Sequence, residues 1–93
     1  MSLPALYRHL TVGEKRDVRN KYVALQKGLC WYCSCPLAEP AAEIVRHRWI
    51  NKRLFPKGFF DYPVHLHHDH ETGYTVGAVH NICNAVLWQY EGK

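Results

Sequence analysis

An α+β domain built around a zinc ion is what this sequence predicts, on three observations. Two pairs of metal-ligating residues share one spacing, Cys30-x2-Cys33 and His80-x2-Cys83, and stand far apart in the chain. A helical signature fills the N-terminal part, opened by Thr11-Val12-Gly13-Glu14. From Phe59 onward the chain turns aromatic and β-prone around a glycine turn. Ninety-three residues make one domain (1–93). Residues 1–28 read as a helical arm; residues 29–93 read as a zinc knuckle, a basic helix and a hairpin–helix core. So short a chain buries a modest share of its surface, and a bound metal supplies what a small core lacks.

Each element follows from local chemistry. Thr11 and Glu14 have the spacing of a capping box, in which each side chain satisfies a free amide at a helix start. A helix over 12–27 is expected, with Val18, Tyr22 and Leu25 inward and Gly28 as a left-handed C-terminal cap. Lys15, Arg16, Arg19 and Lys21 then fall on its outward side and read as a solvated face. Pro36 and Pro40 bracket a linker, and Pro40 suits the first turn of a second helix over 41–54. A β-prone stretch is expected from Phe59 through Pro63-Val64-His65-Leu66-His67-His68, and a second strand at Tyr74-Thr75-Val76 after the turn Glu71-Thr72-Gly73. Gly77 marks a bulge or the close approach of another segment. A last helix starts near His80 or Asn81.

Charge is divided along the chain. Through Phe60 there are 11 basic and 4 acidic residues; from Asp61 onward there are 1 and 4. The basic part suggests a polyanionic partner. No apolar run approaches the roughly 18 residues of a membrane span. Met1-Ser2-Leu3-Pro4 lacks the charged start and apolar core of a signal peptide. A cytoplasmic setting is therefore expected, with no membrane partner, and there closely spaced cysteines hold metal more often than disulfides.

Cys30 and Cys33 on a tight knuckle, with His80 and Cys83 one turn apart at a helix start, make a Cys3His set suited to one tetrahedral zinc. Cys35 could replace one of these ligands, and His65 is a further competitor. The bland alternative is small buried cysteines beside a surface histidine. No βαβ pattern surrounds the Cys-x2-Cys pair, which argues against a redox role.

Five of the seven histidines fall between His65 and His80. In His67-His68-Asp69-His70, strand alternation puts His68 and His70 on one face and His67 and Asp69 on the other. Asn84 follows Cys83 directly, so a zinc ion there would hold it over the hairpin. Imidazole, carboxamide and carboxylate together suit hydrolysis with a divalent metal and a general base. A solvated strand end or a second structural metal site are the alternatives.

The strings Leu66-His67-His68-Asp69-His70-Glu71-Thr72-Gly73 and Val76-Gly77-Ala78-Val79-His80-Asn81-Ile82-Cys83-Asn84-Ala85 resemble the ββα-metal motif of HNH nucleases. Within these the chain is most similar to the phage endonuclease VII family, and the likeness covers about a quarter of the chain. It implies a treble-clef-like ββα-metal fold cutting DNA to 5′-phosphate and 3′-hydroxyl ends. By position it implies His68 as general base, His67 and Asn84 as ligands of a catalytic divalent ion, and His70 at the scissile phosphate. Cys30, Cys33, His80 and Cys83 match the structural zinc set. Three departures stand out. His67 replaces an Asp, as in colicin-type nucleases, which turns the preference from magnesium toward manganese, nickel or zinc. His80 replaces a Cys, and the segment between Cys33 and His67 is long. For His67 and His68 to meet at one site, a bulge or strand end is also required.

Arg46, Arg48, Lys52, Arg53 and Lys57, interleaved with Trp49 and Phe55, form the expected DNA contact. A solvated face over a core containing Trp49 and Ile50 is the alternative. Duplex or branched DNA would be the substrate, and one site per chain cuts one strand, as monomer or homodimer. The rival function is a zinc-stabilised nucleic-acid-binding module that does not cut; it has no need of His68 and Asn84 together.

Overall fold

The computed structural model describes residues 2–92; Met1 and Lys93, the two ends of the expected domain, lie outside the described residues. Helix α1 spans Val12–Leu25, and both halves of the Thr11–Glu14 capping box are formed. Its last turn unwinds through Lys27 and Gly28, both with positive φ. Val18 is buried and Tyr22 packs on the core, but Leu25 is exposed. Gln26 takes the inward role expected of Leu25. Its amide accepts from the Ala78 N–H at 2.8 Å and donates to the Ala78 carbonyl at 2.9 Å, satisfying both backbone groups.

The knuckle follows as a small loop closed on itself. Leu29 bridges Pro36, and the Cys30 N–H donates to the Cys35 carbonyl at 2.8 Å. The helix expected over 41–54 does not form. Instead a four-residue helix, α2 (Glu43–Arg46), and a 3-10 turn (Lys52–Leu54) flank an irregular stretch. Side chains from the last helix capture its backbone. The Trp49 carbonyl accepts from the Tyr90 hydroxyl at 2.6 Å and from the Gln89 amide, whose oxygen takes the Asn51 N–H at 2.9 Å. These tertiary bonds replace the helical ladder. Trp49 is accordingly outside the core, 69% exposed, and Ile50 only packs at its edge.

Strands β1 (Val64–His68) and β2 (Thr75–His80) pair antiparallel, and helix α3 (Asn81–Glu91) follows without a break. His67 faces Gly77 but His68 faces Thr75, so Val76 is the extra residue of a bulge. Gly77 allows close approach: a Cβ there would lie 3.0 Å from Trp31 Cβ and 2.8 Å from Gln26 Oε1. The N-terminal segment docks on the free edge of β2, through a Leu6–Tyr74 bridge and the Thr75 N–H donating to the Ala5 carbonyl. The arm is thus part of the domain. The core joins Cys30, Leu37 and Val45 to Ala78, Val79, Cys83, Val86 and Leu87. It lies where knuckle, hairpin and α3 meet.

Candidate metal and hydrolytic sites

Cys30, Cys33, His80 and Cys83 bring one ligand atom each within 4.8 Å of one another, and could hold a metal ion. The knuckle turn supplies the first two; the junction of β2 with α3 supplies the others. His80 Nδ1 points at the sulfurs, 3.4 Å from Cys33 Sγ and 3.6 Å from Cys83 Sγ. Its other nitrogen, Nε2, lies 2.9 Å from the Pro36 carbonyl and 2.8 Å from that of Glu39. Carbonyls only accept, so Nε2 carries the proton and Nδ1 offers its lone pair to the metal. Zinc-binding histidines are oriented by partners of this kind. Backbone N–H groups of Tyr32 and Cys33 approach Cys30 Sγ at 3.4 and 3.5 Å. A hydrogen bond from Cys83 pulls the Cys30 thiol down to about 4 against its burial, and the same bond pushes Cys83 up. One thiolate is already favoured, as metal binding requires. Neither Cys35 nor His65 belongs to this set. Cys35 contributes its carbonyl to the knuckle instead.

A second cluster occupies one side of the hairpin. Asn84, in the first turn of α3, stands between two histidines of β1. Its Oδ1 is 3.0 Å from His67 Nδ1 and its Nδ2 is 3.1 Å from His65 Nδ1. The amide nitrogen only donates, so His65 accepts and keeps its proton on Nε2. His67 is 2% exposed. His68, which simple alternation would send to the opposite face, reaches the same cavity at the bulge. Its ring stacks on Tyr7 at 3.9 Å and 12°, and meets His70 edge-on at 4.6 Å. Burial first, then the neighbouring His70 and His67, press its pKa down to about 4. The ring is therefore neutral near pH 7 and can accept a proton. Burial also lowers His65. The charge of Asp69 opposes the lowering at His68. Its carboxylate accepts the Glu71 and Thr72 N–H groups at 2.7 and 3.2 Å, shaping the turn that ends in Gly73.

His65, His67, His68, His70 and Asn84 all line a cavity of about 810 Å³. No carboxylate stands among its lining residues. Arg46, Arg48, Lys52, Arg53 and Lys57 do not line it either. The Arg46 Nε–H donates to the Ala41 carbonyl, Arg48 covers the Tyr90 ring at 4.0 Å, and Lys52 lies 6.0 Å from the Phe60 ring. Five lining residues outside the His-string motif also matter: His65, Tyr7 and the α1 cations Lys15, Arg16 and Arg19. His65 shares a strand face with His67 at spacing two, a legible signal. Tyr7 reaches His68 only because its segment docks on β2, which no local pattern announces.

The chain matches no family model, no curated protein and no solved structure. Among the described residues, no helix is long and apolar enough to cross a membrane.

Proposed function

We propose that this chain is a small metal-dependent endonuclease of the HNH type, with a treble-clef-like ββα-metal core that hydrolyses DNA phosphodiester bonds. The observation that carries this reading is the convergence of His67, His68, His70 and Asn84 on one cavity, beside a Cys3His set that anchors the start of α3. A binding module stabilised by zinc has no use for a neutral, half-buried histidine at such a place.

His68 acts as the general base. It takes a proton from a water molecule, and the resulting hydroxide attacks phosphorus in line with the 3′ oxygen. The phosphorus–oxygen bond to that oxygen breaks, leaving a 5′-phosphate and a 3′-hydroxyl once the oxygen is protonated. Tyr7 holds the His68 ring flat against its own, which fixes the direction of its lone pair. His70, edge-on to His68, stands beside the phosphate.

His67 and Asn84 fit a divalent ion. His67 Nδ1 and Asn84 Oδ1, hydrogen-bonded to each other at 3.0 Å, would be the atoms that hold it. Once His67 Nδ1 gives up its proton, both atoms offer lone pairs. When bound, the ion supplies positive charge to the phosphate and the departing oxygen. Imidazole and carboxamide without a carboxylate suit manganese or nickel better than magnesium.

A plasmid-relaxation assay with end-group analysis tests the reading. Zinc-loaded protein given manganese, nickel or magnesium should nick supercoiled DNA, fastest with manganese or nickel, and leave 5′-phosphate ends. Tight DNA binding with no nicking under any of these ions would replace the nuclease with the binding module.

A further inference from the structure

The cavity lining has two parts of different chemistry. One is α1, where Val12, Lys15, Arg16 and Arg19 line the cavity at helical spacings of three, four and seven from Val12. Lys15 and Arg19 are half-buried there rather than waving in solvent, and Lys15 Nζ sits 4.2 Å from the centre of the Tyr7 ring. Another part of the lining is aromatic. Phe55 and Phe59 pack at 4.7 Å, Phe59 meets His65 edge-on at 4.6 Å, and Tyr62 stands 69% exposed beside them. The histidines and Asn84 line it as well.

We propose that this cleft takes a single unpaired nucleic-acid strand, its phosphates on Lys15, Arg16 and Arg19 and its bases against Phe55, Phe59 and Tyr62. The proposal deepens the nuclease reading by naming the form of its substrate. Duplex DNA turns phosphates outward on both sides and hides its base faces in the stack. Cations on one part of the lining and aromatic rings on another match a strand whose bases are free. The lining itself carries three cations and no carboxylate; Arg16 Nε also lies 3.7 Å from the exposed Asp17 Oδ1, and the excess of positive charge that remains is complementary to phosphate. The volume of about 810 Å³ lies within the roughly 300–1,000 Å³ of clefts that enclose small ligands, a scale of nucleotide units. On this account the face of α1 that its sequence presents as solvated is the phosphate grip nearest the histidines. Arg46, Arg48, Lys52, Arg53 and Lys57 do not line the cleft.

The test is equilibrium binding of a fluorescent oligothymidylate and of its duplex with oligoadenylate, by zinc-loaded protein without added divalent metal, over a range of salt. The single strand should bind at least about tenfold more tightly than the duplex, since stacking on aromatic side chains adds to each unpaired base. The Lys15→Gln/Arg16→Gln/Arg19→Gln variant should make the dependence of log affinity on log salt shallower by about two, at about 0.7 per phosphate contact on single strands. Zinc content and melting check that this variant folds. Should it not, Arg16→Gln alone, at an exposed side chain, should still reduce the slope by about 0.7. Tyr62→Ala should weaken the single strand and leave the duplex unchanged. Equal or tighter binding of the duplex overturns the proposal. So does an unchanged slope in the α1 variants beside a reduced one in Arg46→Gln/Arg53→Gln. All of this is read from binding, so a protein that binds as described but never cuts refutes the nuclease and leaves the cleft standing.

Discussion

Asn84 is a carboxamide with two different ends, and both are used. The oxygen meets His67 and the nitrogen meets His65, so rotating or replacing the amide disturbs two histidines at once. Asn84→Asp should keep a ligand oxygen while removing the donor to His65; nicking should then shift its preference toward magnesium, read from rates across the three ions. Asn84→Leu removes both ends and should abolish nicking under all of them. Tyr7 acts through His68 rather than on substrate. A stacked aromatic pair contributes about 0.5–1.5 kcal/mol beyond its buried area, so Tyr7→Ala should lower kcat roughly threefold to tenfold. Tyr7→Phe keeps the stack and should restore the rate, an outcome that separates ring positioning from the hydroxyl. At this scale paired spacing made the four sulfur and imidazole ligands legible, whereas His67, His68 and Asn84 were singled out by the resemblance, against simple strand alternation. The sequence was silent about Tyr7, whose partner is 61 positions away.

Elements are held here by side chains that stand in for backbone. Gln26 closes the Ala78 edge of β2 in the manner of a strand neighbour, and Gly77 beside it lets Trp31 lie against the sheet. A methyl at Gly77 meets the Trp31 Cβ, which cannot swing away, at 3.0 Å. Overpacking of this sort costs about 1–3 kcal/mol, so Gly77→Ala should lower the denaturant midpoint with the slope unchanged. The same substitutive bonding explains which elements were legible. The first helix, the hairpin and the last helix carry caps, a turn and periodicity within their own residues. The stretch 41–54 has helical composition too, yet Gln89 and Tyr90 take its backbone groups from outside. Nothing within 41–54 records that competition. The bulge between His67 and His68 was required by the convergence of two adjacent histidines, and the observed register supplies it.

Over the whole molecule, the Cys3His set draws its members from the same two parts of the chain that the core joins. It ties the knuckle to the β2–α3 junction, and Asn84 sits one residue beyond Cys83. Holding the metal therefore also holds the candidate site. Chelation, or Cys83→Ser, should release one zinc per chain and lower the melting temperature steeply, since structural zinc sites carry folding free energy. Loss of nicking should follow the zinc and not precede it. The charge division along the sequence has a spatial counterpart only in part. Its α1 cations reach the histidine cavity, whereas Arg46 lies in α2, Arg48 covers the Tyr90 ring of α3 and Lys52 approaches Phe60.

The proposed function stands or falls on His68 as the base of a hydrolytic site built on a zinc-held frame. Its most direct test is the nicking rate of zinc-loaded His68→Ala beside the parent, with bound zinc and melting temperature measured on the same samples. A general base contributes about 10²–10⁴-fold, so the rate should fall by at least about a hundredfold while zinc content stays at one per chain. Equal nicking by both proteins, with zinc intact in each, would contradict the account.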